Sequence, residues 1–129
     1  MRHLKTKRVG PVVVLSPQKS LFGDDETFEL QEAIHQNHKE DNRFLIINLA
    51  KVKRMNSLGL GFLIEGHKLY KERGARMTLS NLNNHPWNVI AIVKLSTVFD
   101  IHDTEEEAVA SFVDGDQVGN EIPPAAAER

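Results

Sequence analysis

The fold of this chain is decided by residues 43–74, which read RFLIINLAKVKRMNSLGLGFLIEGHKLYKERG. The stretch opens with a nearly unbroken apolar run, from Arg43 to Leu49, which indicates a strand covered on both faces. After a short connection, apolar residues recur at helical spacing from Leu60 onward, and Gly74 is suited to end the helix. A buried strand followed by a short connection and a helix predicts part of a parallel α/β sheet.

Further strands and helices are predicted on both sides of this unit. The other strands are expected at 2–9, 12–15, 76–80 and 98–101, the first two joined as a hairpin through Gly10-Pro11. The other helices are expected to begin near residues 24, 86 and 103, the last one ending near Phe112. The predicted fold is therefore α/β, with a mixed, mostly parallel sheet and four helices in the order β-β-α-β-α-β-α-β-α.

The length and composition fit one compact domain. The chain has 129 residues, of which 40% are apolar and 26% charged, and this size is sufficient to bury a core. We expect the domain to span residues 1–113. Residues 114–129, DGDQVGNEIPPAAAER, contain few apolar residues and two adjacent prolines, so we expect a flexible C-terminal tail.

Several classes of protein are disfavoured by the composition. The chain has no cysteine, which excludes disulfides and thiolate chemistry and is compatible with the cytoplasm. No segment approaches the roughly 18 apolar residues that a membrane span needs. A net charge of −2 predicts neither a nucleic-acid nor a membrane partner. The basic residues Arg2, Lys5, Lys7 and Arg8 are interpreted as guards of an exposed strand edge.

The connection Met55-Asn56-Ser57-Leu58-Gly59-Leu60-Gly61 is the main candidate for a site. The end of a strand in an α/β sheet is where ligands and partners usually bind. Its glycines suggest a phosphate loop, but Ile64 stands where the last glycine of GxGxxG belongs, and no Lys-Ser or Lys-Thr follows. Two interpretations of Ser57 remain open. Its hydroxyl either caps the helix, or it is the chemically important group.

Residues 44–82 resemble the core of a STAS domain, the fold of bacterial anti-sigma-factor antagonists. In that family an apolar strand ends in Asn-Leu or Asp-Leu, and Asp-Ser-Ser/Thr-Gly-Leu-Gly then opens a helix. Here Asn48-Leu49 matches the strand end, Ser57 and Gly59-Leu60-Gly61 match the motif, and Arg73-Gly74-Ala75 matches the helix end. The resemblance extends from about Val12 to Phe112, and it includes VKLSTVFDI before the last helix.

The resemblance implies a mechanism of regulation rather than an enzyme. The matching serine, Ser57, would be phosphorylated by a partner that is both a serine kinase and an anti-sigma factor. The unmodified protein would bind that partner, the phosphorylated one would release it, and a phosphatase would reset the switch. Asn56, Leu58, Gly59 and Phe62 are expected to form the contact surface. No cofactor is expected, and the protein is expected to be a monomer or a weak homodimer.

Two positions depart from the family pattern. The acidic residue before the serine is Asn56 here, and the position after it, usually Ser or Thr, is Leu58. One alternative is therefore a STAS adaptor that is not phosphorylated and works in a signalling assembly. A further alternative is a small serine hydrolase, although Ser57 lacks the Gly-x-Ser-x-Gly flanks of a nucleophile elbow.

Other candidate residues carry less information. His35 and His38 lie three apart on a predicted helix, but no third ligand accompanies them, so no metal site is predicted. Clustered acids such as Asp24-Asp25-Glu26 are typical partners of a helix N-terminus. Trp87 is either a partner contact or a cover for the edge of the core, and the sequence does not decide between them.

Overall fold

The computed structural model describes residues 4–92 and 99–118. In these ranges the elements follow the predicted order. The strands are β1 (Leu4–Val9), β2 (Val12–Pro17), β3 (Phe44–Asn48), β4 (Arg76–Ser80) and β5 (Asp100–His102). The helices are α1 (Asp25–Lys39), α2 (Ser57–Glu72), α3 (Asn84–Ile92) and α4 (Glu105–Val118). None of these helices is long and apolar enough to cross a lipid bilayer.

The five strands form one mixed sheet in the order β1-β2-β3-β4-β5. The strands β1 and β2 pair antiparallel, whereas β2, β3, β4 and β5 pair parallel to one another. This topology confirms the predicted hairpin and the predicted parallel sheet. Leu45, Ile46 and Ile47 of the central strand β3 are all fully buried, which confirms that both faces of that strand are covered.

The two faces of the sheet have different apolar cores. On the first face, Leu45 and Ile47 pack in a large cluster with residues of α1, α2 and α3. On the second face, Ile46 belongs to a small cluster with Ala108 and Phe112 of α4. The faces separate because successive side chains of a strand point to opposite sides. The chain therefore covers its first face with several helices and its second face with α4.

Some element boundaries differ from those predicted. The helix α4 continues to Val118, beyond its predicted end near Phe112. Extending an existing helix adds a hydrogen bond for each residue fixed, which offsets a sequence of low helix propensity. The strand β5 covers Asp100–His102, shifted from the predicted 98–101. Residues 1–3, 98 and 119–129, which enter the predicted first strand, last strand and tail, lie outside the described residues.

Candidate functional site

Ser57 is the first residue of α2, and its side chain is exposed. It follows the connection that leaves the carboxyl end of β3, so it lies at the edge of the sheet where binding sites are usual. Within the described part of the chain, its hydroxyl has no hydrogen-bond partner. The hydroxyl is therefore accessible to another macromolecule and does not serve a visible structural role.

The cap of α2 is Asn56 and not Ser57. The Asn56 Oδ1 accepts hydrogen bonds from the backbone N–H groups of Leu58 (3.1 Å) and Gly59 (3.2 Å). Of the two interpretations of Ser57, the structure therefore does not support the one in which its hydroxyl caps this helix. Asn and Ser are about equally good N-caps, so the choice between two adjacent candidates depends on which backbone enters the helix. Here Asn56 has the extended backbone of a cap residue.

The connection before Ser57 is held by the loop that precedes α1. Leu21 N–H donates to the Arg54 carbonyl, and Asn56 N–H donates to the Leu21 carbonyl, both at 3.0 Å. The Asn56 Nδ2 also donates to the Phe22 carbonyl at 2.8 Å. Leu21 and Met55, which form an isolated parallel bridge, are both buried. The two connections thus form one ordered surface.

A second support comes from the segment before α3. The Asn83 Nδ2 lies within hydrogen-bond distance of three carbonyl oxygens, those of Leu49 (3.3 Å), Ala50 (3.0 Å) and Val52 (2.9 Å). The Met55 N–H donates to the His85 Nδ1 at 3.3 Å. This role of Asn83 is not evident from the sequence, because an asparagine before a helix is indistinguishable from an ordinary cap.

The glycines near Ser57 are explained by packing. A Cβ added at Gly59 would lie 2.9 Å from the Leu21 Cβ and 3.0 Å from its carbonyl oxygen. At Gly66 it would lie 3.0 Å from both Ile34 and Met77. At Gly61, in contrast, it would meet nothing within 4 Å. The glycines at 59 and 66 therefore let α2 approach its neighbours closely, as expected, and they give no support to a phosphate loop.

Four apolar side chains at the start of α1 and α2 define a surface that we call the apolar patch: Phe22, Phe28, Leu58 and Phe62. Phe22, Phe28 and Leu58 are 50%, 47% and 42% exposed. The rings of Phe28 and Phe62 meet edge to face, with centroids 5.5 Å apart. Leu58 lies over Gly23, and Phe62 is one helical turn further along α2. The patch therefore extends continuously from beside Ser57 to α1.

The predicted contact residues divide into two groups. Leu58 and Phe62 belong to the apolar patch. Asn56 is the cap, and Gly59 is buried against Leu21. These two residues therefore position the backbone of the site and are not part of the apolar patch. Phe22 and Phe28 were not predicted as site residues. Phe28 is an apolar residue of the amphipathic helix α1, yet it is exposed, because the apolar stripe of such a helix does not reveal which of its members lie at the margin.

The remaining candidates do not meet at Ser57. His35 contacts Glu65 at 3.4 Å, whereas the ring of His38 lies against Tyr70. In the described ranges, no group of three metal-ligating side chains is assembled. Trp87 is 42% exposed on α3.

The clearly shifted pKa values belong to groups away from Ser57. Burial raises the pKa of the Tyr70 phenol, although the nearby Arg73 acts in the opposite direction. Burial, reinforced by Lys71, lowers the pKa of His67. Both residues lie on the far half of α2. With no base hydrogen-bonded to the Ser57 hydroxyl among the described residues, the geometry gives no support to a serine hydrolase.

Comparison with solved structures finds the same fold in proteins of low sequence identity. A candidate anti-sigma factor antagonist of Thermotoga maritima, TM1081, is 22% identical, with a TM-score of 0.78 over 84% of this chain and 92% of that one. A STAS-domain anti-sigma-factor antagonist of Planctomyces limnophilus is 18% identical, with a TM-score of 0.75 over 85% and 97%. The phosphorylated form of the Bacillus cell fate determinant SpoIIAA is 19% identical, with a TM-score of 0.69 over 84% and 98%.

Comparison with curated protein sequences finds no match. The family model described as STAS domain matches residues 3–108, which is most of the chain and includes β1 to β5 and the start of α4. The match confirms the resemblance on which the sequence interpretation rested. The chain belongs to the STAS domain family.

Proposed function

We propose that this protein is a bacterial, cytoplasmic protein-interaction switch of the anti-sigma-factor-antagonist type, controlled by phosphorylation of Ser57. Its partner would be an anti-sigma factor that is also a serine kinase, and a phosphatase would restore the unmodified form. The observation that carries the proposal is the exposed Ser57 hydroxyl beside the apolar patch. A hydroxyl in that position is open to a kinase and lies next to a surface suited to a protein partner.

Phosphorylation at this position is compatible with the fold. A phosphoserine adds about −1.5 to −2 charges at pH 7. At the start of α2 this charge faces the positive end of the helix dipole, and the first turn contains no acidic residue. Because Asn56 already caps the helix, the unmodified serine is not required for stability. Both forms of the switch are therefore expected to be folded.

The apolar patch gives a physical reason for release. A partner that covers Phe22 and Leu58 would have to remove water from an adjacent phosphate, and burying an unpaired charge is strongly unfavourable. The same partner would bury the neutral hydroxyl at a far smaller cost. Phosphorylation would thus weaken binding without any rearrangement of the domain.

The solved relatives support this proposal at the level of the family. SpoIIAA is described as an anti-sigma factor antagonist in its unphosphorylated form, and it has also been solved in a phosphorylated form. Both forms share the fold of this chain, with TM-scores of 0.68 and 0.69. A STAS domain can therefore carry a phosphate and remain folded.

The test begins with capture of partners by the tagged full-length chain in its native cells, followed by mass spectrometry of the partners and of the Ser57 peptide. Binding of the captured partner is then compared for the unmodified chain, Ser57→Asp and Ser57→Ala. We expect Ser57→Asp to bind about tenfold more weakly or worse, and Ser57→Ala to bind normally. All three should melt within a few degrees of one another. Full-affinity binding by Ser57→Asp would rule out the switch.

One observation keeps the adaptor as a second candidate. Leu58, which replaces the family's hydroxyl residue, is 42% exposed and places an apolar side chain directly beside Ser57. Recovery of a partner whose binding depends on Leu58, together with a Ser57 peptide that is never phosphorylated, would favour a STAS adaptor in a signalling assembly. Labelling of Ser57 by a fluorophosphonate probe would instead indicate a hydrolase.

A further inference from the structure

The second face of the sheet, beneath α4, carries a line of polar side chains close to the carboxyl ends of the parallel strands. This polar row crosses the sheet from β1 to β5 and consists of Lys5, Ser16, Asn48, Ser80 and His102. In the preceding row of the same face, β2 and β3 contribute the buried apolar residues Val14 and Ile46. The other strands are already polar in that preceding row, at Lys7, Thr78 and Asp100. The polar row differs from it in being polar on β2 and β3 as well.

Part of the polar row is buried without hydrogen-bond partners. Ser80 is fully buried, and its Oγ has no partner within the described residues. The buried Nε2 of His102 lies 3.2 Å from Asp100 Oδ1 but outside hydrogen-bond geometry. Buried polar groups without partners cost stability.

A cleft opens where the polar row reaches the surface near β1, β2 and β3. Its volume is about 360 Å³, and its lining includes Lys5, Lys7, Ser16, Asn48, Lys51 and Glu105, but not Ser80 or His102. The cleft lies at the carboxyl ends of β2 and β3, the edge of a parallel sheet at which ligands bind. Ser57 follows the same edge, but its helix α2 packs on the opposite face.

The charges that line the cleft are predominantly positive. Glu105 is its one described acidic group, and both carboxylate oxygens of Glu105 are engaged. Oε2 lies 2.6 Å from the Lys7 Nζ, and Oε1 accepts a hydrogen bond from the Asn48 Nδ2 at 2.9 Å. Lys5 and Lys51 have no such ion pair in the described part of the chain. Two unneutralised ammonium groups therefore line a cleft in a protein whose net charge is −2.

The ion pair between Lys7 and Glu105 is persistent over the physiological pH range. Burial acts to raise the pKa of Glu105, but the hydrogen bonds from Lys7 and Asn48 outweigh it and lower that pKa. The hydrogen bond to Glu105 in turn raises the pKa of Lys7. Glu105 thus stays ionised and directed at Lys7, which leaves the charges of Lys5 and Lys51 for a ligand.

We propose that this cleft binds a small phosphate-bearing anion. Lys5 and Lys51 would supply the charge, and the hydroxyl group of Ser16 would donate a hydrogen bond to a phosphate oxygen. Lysine ammonium groups are strong point charges for phosphate, and the volume lies at the small end of ligand pockets. The site uses a different face and different residues from the Ser57 switch, and it does not depend on the proposed function.

The test is a titration of the full-length chain with inorganic pyrophosphate at low salt, followed by backbone amide chemical shifts. We expect shifts concentrated at residues 5–7, 16–18 and 48–51. Lys5→Ala and Lys51→Ala should each raise the dissociation constant about tenfold, as expected for the loss of one charge-assisted contact. The matched controls are Lys39→Ala and Lys68→Ala, which remove exposed lysines from the helices of the other face. They should change the dissociation constant less than twofold.

The opposite results would overturn the proposal. These are absence of shifts at millimolar pyrophosphate, shifts centred on residues 57–59, or equal losses in the control variants. Thermal melting of each variant separates loss of binding from loss of fold. Ser57→Asp should bind pyrophosphate as the unmodified chain does, so failure of the anion site and failure of the Ser57 switch are distinguishable.

Discussion

The two faces of the sheet bury their strands in different ways. The first face contributes to one large apolar cluster that includes residues from every strand and from α1, α2 and α3. The second face has a small cluster that draws on β2, β3 and α4, and the polar row follows it. The difference shows that most of the apolar packing and most of the polar side chains lie on opposite faces of the sheet. The first face supplies most of the apolar burial, while the second has room for polar groups.

The largest expected difference is between two adjacent residues of β3. Ile46 and Ile47 are both fully buried but point to the second and first face respectively. We expect Ile47→Ala to lower the free energy of unfolding by about 4 kcal/mol and Ile46→Ala by about 3 kcal/mol. The reason is that a cavity beneath a single helix collapses more readily than one inside a large cluster. Urea unfolding of both variants measures the two values.

An equal or reversed order would break the comparison between the faces. It would mean that α4 is held against the sheet as firmly as the helices of the first face. The urea dependence of the unfolding free energy is the control, because a changed slope would indicate an altered unfolded or native state instead of a local cavity.

The next effect concerns how closely α2 packs on the first face. Gly59→Ala places a Cβ 3.0 Å from the Leu21 carbonyl oxygen, a backbone atom that cannot rotate away. We expect a loss of about 2 kcal/mol in unfolding free energy. Gly61→Ala is the matched control, since its Cβ meets nothing within 4 Å. It should gain up to about 1 kcal/mol from helix propensity. Thermal or urea unfolding gives both signs, and a stabilising Gly59→Ala would contradict the close approach.

A smaller effect tests the cap of α2. Asn56→Ala removes both hydrogen bonds to the helix and the one to the Phe22 carbonyl. It should lower the unfolding free energy by about 1 to 2 kcal/mol. Ser57→Ala should leave it within about 0.5 kcal/mol, as for an exposed residue without partners. Comparable losses in both variants, measured by urea unfolding, would show that Ser57 contributes to the helix after all.

The smallest effect is a pH dependence that arises on the first face. His67 packs edge to face on Phe99, and its Nδ1 is buried without a partner in the described residues. Burial, reinforced by Lys71, lowers its pKa, while a hydrogen bond to Met77 and the charge of Asp100 act in the opposite sense. The unfolded chain therefore takes up this proton first. Stability should fall as the pH drops through about 6.5, until the lowered pKa of the folded state is reached.

Urea unfolding of the unmodified chain and of His67→Phe between pH 8 and 5 isolates this term. The variant should lose less stability on acidification than the unmodified chain does. A His67→Phe curve parallel to that of the unmodified chain would show that His67 is protonated equally in both states.

The sequence predicted the elements well because their signals are local. The run Leu45-Ile46-Ile47 and the glycine at 74 act through burial and backbone conformation, and the structure places them as expected, with Gly74 at a φ of +77°. The sequence left open whether Ser57 caps α2, because Asn56 beside it is an equally good cap. The apolar patch includes the contact between Phe28 and Phe62, which joins two helices and is distant in sequence.

The polar row was not predicted from the sequence, because it also depends on contacts between segments that are distant in the chain. Asn48 and Ser80 each end a strand, and Ser16 is the last but one residue of β2. Single polar residues are common at such positions and do not by themselves indicate a site. Their alignment depends on the register between strands, which the sequence of one strand does not specify. The alternation in β3 does contain a hint, because Asn48 follows Ile46 on one face while Leu49 follows Ile47 on the other.

The Asn83 side chain has a consequence for how the molecule moves. Its amide donates hydrogen bonds to carbonyls of the linker between β3 and α2. These bonds connect the linker that precedes Ser57 to the linker that precedes α3. A binding partner that displaces one linker would therefore also displace the other. Replacing this amide with a carboxylate would place a negative charge against the three carbonyl oxygens. The repulsion would weaken the contact between the two linkers.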